Sequence, residues 1–115
     1  MPHPSECLLV FTNLPDGDSA HALAKRLVEA RLAACVNILA PCASVYRWQG
    51  QMEQATETPL LIKTTAARYA ALEREIRAGH PYELPEIVAV PFAAGLPAYL
   101  AWVAAETATD DDTPC

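Results

Sequence analysis

The sequence predicts one α+β domain in which helices pack on an antiparallel β-sheet. Short apolar runs alternate with segments of helical periodicity, in the order β-α-β-β-α-β-α, and a glycine-centred turn joins two long β-rich arms. At 115 residues the chain is long enough for one compact core and too short for two ordinary ones. We expect a flexible N-terminus over residues 1–6, a single domain over 7–106 and a disordered acidic tail over 107–115.

The first part of the chain predicts a strand followed by a helix. CLLVFTN, residues 7–13, is a short apolar run that ends at the turn residues LPDGD, as is typical of a buried strand. The helix is expected to begin with Asp18 or Ser19 as its N-cap and to continue to residue 34. Four residues at helical spacing predict the face that packs on the sheet: Ala20, Leu23, Leu27 and Ala30.

Residues 35–65 predict a long hairpin between the second and third strands. Its turn is expected at Gln49-Gly50-Gln51, where Gly50 can adopt the positive φ of a tight connection. Pro41 and Pro59 lie in the two arms, and because proline cannot donate a ladder hydrogen bond, we expect a bulge, bend or edge at each.

The remaining segments predict a helix, a strand and a final helix. AARYAALEREIRAG, residues 66–79, has apolar residues at helical spacing and Gly79 where a left-handed C-cap would lie. EIVAVPF is expected to be a buried strand that stops at Pro91, and Pro97 lies near the first turn of the last helix. That helix carries an aromatic-apolar stripe: Tyr99, Trp102 and Val103.

This order of elements fits a ferredoxin-like βαββαβ sandwich with a C-terminal helix added. The projecting hairpin would leave unpaired edges and two aromatic residues, Tyr46 and Trp48, exposed to solvent. Tyr46 and Trp48 alternate along the arm and so share a face, either as interface anchors or as ligand contacts. We therefore expect a closed oligomer.

Composition excludes several classes of function. A formal net charge of −6 argues against nucleic acid as a partner, because that affinity depends on clustered lysine and arginine. The N-terminal apolar stretch is too short for a signal peptide or a membrane span, so we expect a cytoplasmic protein. The cysteines at positions 7, 35, 42 and 115 form no CxxC pair, which indicates neither a zinc site nor a disulfide framework.

HPYELPEI, residues 80–87, is the segment richest in candidate ligands. Its histidine and glutamates suit Cu(II), Zn(II) or Ni(II), with copper favoured by the general order of affinities. The segment is also consistent with a rigid helix-to-strand connector, because each proline restricts the residue before it to extended backbone. The local sequence leaves both interpretations open.

Two further residues suggest chemistry within the predicted sheet. Lys63 lies in the otherwise apolar run LLIKTT, where it either extends to solvent at a sheet edge or lines a polar cleft. Cys35 could form a nucleophilic pair with His80, but a single thiol in an apolar strand more often packs than reacts. We expect a binding protein and no enzyme.

Five segments together identify a family resemblance. LVEARLAACVNI, VYRWQGQMEQ, LLIKTT, HPYELPEIV and YLAWV, in this order, resemble the CutA divalent-cation tolerance family over about residues 7 to 106. The resemblance implies a homotrimer of ferredoxin-like protomers, built like the PII signalling proteins, with hairpins exchanged between subunits. It also implies copper binding. The ACxN segment of the family matches residues 34–37, and its HPYExPEI loop matches residues 80–87.

These matches place the candidate metal ligands at His80, Glu83 and Cys35. Where copper-linked relatives are expected to carry a cysteine and a second histidine, this chain has Ser19 and Gly79, with His21 as a nearby substitute. Loss of these two ligands predicts weak binding. The alternative hypothesis is a PII-like sensor or scaffold that holds a small anionic molecule in an inter-subunit cleft lined by Trp48, Lys63, Tyr82 and Glu86.

Overall fold

The computed structural model describes residues 6–109, which fold into one antiparallel sheet and three helices. The elements follow the chain as β1 Cys7–Leu14, α1 Gly17–Glu29, β2 Cys35–Ile38, β3 Cys42–Trp48, β4 Gln51–Thr65, α2 Ala66–Gly79, β5 Val88–Pro91 and α3 Pro97–Glu106. The predicted α+β class is confirmed. Residues 1–5 and 110–115, which include most of both predicted flexible ends, lie outside the described residues.

Strand β4 organises the sheet, whose order is β2-β4-β1-β5 with β3 paired to β4. The C-terminal part of β4 pairs with β1 and β2, and its N-terminal part pairs with β3 to form the hairpin. The chain turns at Gln49 and Gly50, both with positive φ, so the expected turn is confirmed. With the hairpin the described chain is 53 Å long and about half as wide.

Helices α1 and α2 cover one face of the sheet. Alternate residues of β1 and β4 point toward them, since side chains in a strand alternate between faces. The core they form is almost fully buried and includes Val10, Leu14, Leu23, Leu27, Leu60, Ile62, Leu72 and Ile76. Burial of a side chain of this size contributes about 1.5–3 kcal/mol, so this layer dominates the stability of the protomer.

The opposite face of the sheet is covered only in part. Helix α3 contacts β1 and β4 there, and the Cys7 thiol donates to the Leu100 carbonyl at 3.8 Å. Arg31, just after α1, donates to the carbonyls of Ala105 and Ala108 at 2.9 and 3.1 Å, which fixes the C-terminal end of α3. None of the helices within residues 6–109 is long and apolar enough to cross a membrane.

The predicted first arm of the hairpin is two strands. The break between them covers residues 39–41 and includes Pro41, as expected, because proline has no backbone N–H to donate to a neighbouring strand. Pro59, however, does not interrupt β4, which is paired continuously with β1 through Asn13 opposite Pro59. The Pro59 carbonyl accepts from the Leu39 N–H at 3.0 Å, so the strand loses a single donor and keeps its course.

Helix α1 has different limits from those expected. Its N-cap is Asp16, whose carboxylate accepts the Ser19 N–H at 2.8 Å, so neither Asp18 nor Ser19 caps it. The helix ends at Glu29, five residues early, because Arg31 adopts a positive φ of 59° and turns the chain. Ala30 is exposed as a result, and Ala24 joins the buried face in its place.

Two other expectations were wrong. Gly79 is the last residue of α2 and has no positive φ; His80, in extended backbone before Pro81, ends the helix instead. Strand β5 is exposed in the protomer, with Val88 and Val90 about half accessible, because it is an edge strand that pairs only with β1. Just past the predicted domain boundary at 106, Thr107 is buried and donates to the Val103 carbonyl.

Candidate functional site

His80 fixes the start of the loop formed by residues 80–87. Its Nε2 lies 2.7 Å from the Asn13 carbonyl, which can only accept, so Nε2 carries the proton and donates. Its Nδ1 accepts the Tyr82 N–H at 3.1 Å, and the His80 and Tyr82 rings lie 4.8 Å apart. Both ring nitrogens of His80 are therefore occupied within the protomer. Nε2 anchors the loop to β1, and Nδ1 holds the turn at Tyr82.

The loop and the base of the β3-β4 hairpin enclose a cleft of about 790 Å³. Ligand pockets typically have volumes of about 300–1,000 Å³, so the cleft could hold a small molecule. Its walls combine aromatic rings with carboxylates and are lined chiefly by Tyr46, Trp48, Glu57, Tyr82, Glu83 and Glu86. No Lys, Arg or His is among the described residues that line it.

Glu57 and Tyr82 form the inner wall of this cleft. Glu57, on β4, is only 9% exposed, and within residues 6–109 it forms no ion pair. The Tyr82 hydroxyl lies close to the Glu57 carboxylate, which favours the protonated phenol. Burial first, then the nearby Glu57 carboxylate and the charges of Tyr46 and Asp16, raise the pKa of Tyr82 to about 12. The interior of the cleft is therefore strongly negative.

We expect Tyr82→Phe to remove one high-pH transition from the tyrosine titration. The folded protein holds the Tyr82 proton more tightly than the unfolded chain, where its pKa is about 10. The stability that this group contributes is therefore intact below pH 10 and is lost as the pH rises toward 12. A carbon NMR titration of the tyrosine rings, compared between the two proteins, should show that the transition lost is the one near pH 12; loss of a transition near pH 10 would contradict the assignment.

A second polar cluster lies on the sheet, outside the cleft. The Lys63 ammonium donates to the Asn37 side-chain oxygen and lies 3.9 Å from the Cys35 sulfur. The pKa of Tyr99, on α3, is raised by burial and by its proximity to the thiols of Cys35 and Cys7. The pairing register of β2 and β4 brings Cys35 and Lys63 together, because the two residues are directly opposite each other.

The structure thus divides the candidate residues between two places. Trp48, Tyr82, Glu83 and Glu86 line the cleft together, whereas Lys63 and Cys35 belong to the other cluster. His21 lies in a separate groove of about 340 Å³ along α1 and β2.

The sequence had suggested neither Glu57 as a wall of the cleft nor Asn13 as the anchor of His80. Both roles arise from contacts between distant parts of the chain, and no local pattern indicates them.

The described part of the chain contains no complete set of metal ligands. Within residues 6–109, no three His, Cys, Asp or Glu side chains are arranged to hold one ion. His80, Glu83 and Cys35 are therefore not brought together as ligands of a single metal. Because a tightly bound Cu(II) or Zn(II) needs several converging donors, a single protomer would bind such an ion only weakly.

Comparisons with known proteins agree with this architecture. Residues 8–106 match the family model of the CutA1 divalent ion tolerance protein. The divalent-cation tolerance protein CutA of Thermus thermophilus is 46% identical over 99 residues, covering 86% of this chain and 96% of that protein.

Two solved structures are also similar over nearly the whole fold. CutA from Xylella fastidiosa superimposes with a TM-score of 0.87 at 45% identity, covering 90% of this chain and 99% of the other. The protein from Archaeoglobus fulgidus, described as a periplasmic divalent cation tolerance protein, superimposes with a TM-score of 0.86 at 36% identity. The match covers 89% of this chain and 99% of the other. With a family match that spans almost all of the described residues, this chain belongs to the CutA1 divalent ion tolerance family.

Proposed function

We propose that this protein is a cytoplasmic, homotrimeric divalent-cation tolerance protein that binds copper or a similar divalent ion weakly at the acidic cleft. The observation that carries the proposal is the set of three glutamates that line the cleft without any basic residue: Glu57, Glu83 and Glu86. Carboxylates attract divalent cations, and the lack of a competing ammonium leaves their charge uncompensated. The role is binding, without catalysis.

Within this proposal Glu83 and Glu86 contact the ion, because both are exposed at the mouth of the cleft. His80 acts as a positioning residue, since its two nitrogens are bonded to Asn13 and Tyr82. Cys35 contributes from outside the cleft or not at all. Water would complete the coordination, as is usual where few protein ligands converge.

Calorimetric titration with Cu(II) tests these roles. Glu83→Gln keeps the side-chain shape and removes the charge, so we expect Cu(II) affinity to fall about 3- to 10-fold. Cys35→Ser should leave the isotherm unchanged. Glu106→Gln, an exposed carboxylate on α3, is the matched control. If Glu83→Gln and Glu106→Gln bound Cu(II) with equal affinity, the cleft would not be the metal-binding site.

The proposed trimer is supported by surfaces that one protomer leaves uncovered. Several large apolar side chains are 46–78% exposed, among them Met52, Val88, Val90 and Leu96. Strands β2 and β5 also present unpaired edges, which proteins usually cover. The strand order agrees with a ferredoxin-like protomer, if β2 and β3 count as one bent strand. We infer a PII-like trimer in which neighbours cover these surfaces.

Light scattering coupled to size-exclusion chromatography should give three times the chain mass of 12.4 kDa. The mass should stay constant on dilution, because burial of this much apolar surface favours tight association. A monomer at micromolar concentration would contradict the trimer, while leaving the fold unaffected.

A small-ligand sensor or scaffold, without specific metal binding, is the second candidate. The aromatic walls of the cleft favour it, because they suit an organic molecule more than a metal ion. The anionic ligand first considered is not favoured, since Lys63 lies outside the cleft and the side chains that line it carry only negative charge.

A further inference from the structure

The cleft combines two features that recognise the same kind of ligand. The first is aromatic: Tyr46, Trp48 and Tyr82 lie along its walls. Ring faces carry negative electrostatic potential and attract cations, most strongly when the cation is shielded from water. A cavity of about 790 Å³ gives a small organic molecule room to contact several rings at once.

The second feature is a carboxylate without a counter-ion. Glu57 is 9% exposed, and the polar group beside it is the neutral Tyr82 hydroxyl. Of the described residues that line the cleft none is basic, and Arg26 and Glu75 form the only ion pair found within residues 6–109. Because a buried carboxylate without a cation is costly, the cleft favours a positively charged occupant.

The contacts that the cleft offers favour an organic cation over a tightly bound metal ion. A tightly bound divalent metal needs at least three donors that converge on it at about 2.0–2.6 Å, and the described residues contain no such group of three. An organic ammonium is larger and makes its contacts over its whole surface, so separated carboxylates and ring faces can act on it together.

We propose that this cleft binds a small organic ammonium compound, with its cationic nitrogen between Trp48, Tyr82 and the carboxylates. The inference rests on the same cleft as the proposed function and changes the class of ligand. Glu57 stabilises the charge from inside, and Glu83 and Glu86 attract the cation at the mouth.

Calorimetry with choline and its uncharged carbon isostere, 3,3-dimethylbutan-1-ol, tests the charge requirement directly. The two probes have nearly the same shape, so a difference in affinity reports the positive charge. Tetramethylammonium and putrescine extend the test to other amines. We expect the amines to bind more tightly than the alcohol and to weaken with added salt. Equal affinities, or no binding by any amine up to millimolar concentration, would overturn the proposal.

Substitutions then locate the site. Trp48→Ala should weaken amine binding about 2- to 30-fold, whereas Trp48→Phe should retain most of it. Glu83→Gln should also weaken binding, and Glu106→Gln should not. Trp102→Phe leaves Trp48 as the single tryptophan, so that its fluorescence reports occupancy. Unchanged amine binding in both Trp48→Ala and Glu83→Gln would exclude the cleft.

The outcomes for metal and amine are separable. Metal binding requires Glu83 but not Trp48, while amine binding requires both. Loss of Cu(II) binding alone would overturn the proposed function and leave this inference intact. If Trp48→Ala left amine binding unchanged while Cu(II) binding still depended on Glu83, this inference would be overturned and the proposed function would stand.

Discussion

Replacing His80 with alanine is expected to lower the free energy of unfolding by about 2 kcal/mol and to displace the 80–87 loop. The substitution removes the donor to the Asn13 carbonyl and the acceptor of the Tyr82 N–H. Each lost hydrogen bond costs about 0.5–1.5 kcal/mol, and partners left unsatisfied and shielded from water add to this. The ring contact with Tyr82 is lost as well.

The consequence for the cleft is larger than the change in stability suggests. Tyr82, Glu83 and Glu86 follow His80 in the same loop, so their positions depend on its anchor. We therefore expect ligand binding at the cleft to weaken in His80→Ala even though the imidazole lines no part of it. His80→Gln, whose amide can both donate and accept, should restore part of the stability.

His21→Ala is the matched control, because His21 is exposed on α1. Surface substitutions of this kind usually change stability by less than about 0.5 kcal/mol. Chemical denaturation at one fixed protein concentration measures both variants. If His80→Ala and His21→Ala had the same midpoint, the anchoring role of His80 would be wrong.

Truncating Leu72 to alanine is expected to cost about 3–4 kcal/mol, the largest effect of any substitution considered. Leu72, on α2, is fully buried in the core with Ile62 and Ile76. Removing its side chain loses the transfer free energy of three heavy atoms and leaves a cavity that the surrounding sheet and helices fill only in part.

Leu84→Ala provides a control in which the same atoms are removed. Leu84 is 71% exposed in the loop, so its truncation should change stability by less than about 0.5 kcal/mol. Because subunit association contributes to the stability of an oligomer, both variants must be compared at the same concentration. A Leu72→Ala midpoint close to that of Leu84→Ala would show that the core lies elsewhere.

Much of the fold was predictable because its signals are local. A short apolar run ending at turn residues identified β1, helical spacing identified α2 with its correct limits, and the Gln49-Gly50 turn identified the hairpin. The ends of α1 were less accessible to sequence reasoning, because Asp16, Asp18 and Ser19 all have good capping side chains. Only the backbone geometry, with Arg31 at positive φ, decides where that helix ends.

The candidate site was predictable in part for the same reason. Residues 80–87 are rich in functional groups, and Trp48 shares a hairpin face with Tyr46, so both segments were visible as candidates. Their meeting in one cleft was not visible, since more than 30 residues separate them. Lys63 and Cys35, which looked equally promising, are directed by strand register to another part of the sheet.

The sequence by itself determined the α+β class, the hairpin and the family resemblance, because these depend on periodicity, turn residues and the order of short segments. Only the tertiary structure decided the chemistry of the site. It bonded both nitrogens of His80 to backbone groups, brought the Glu57 carboxylate to the Tyr82 hydroxyl and separated Lys63 from the cleft. Each of these outcomes depends on a contact between residues distant in the chain, and such contacts are fixed by strand pairing and packing.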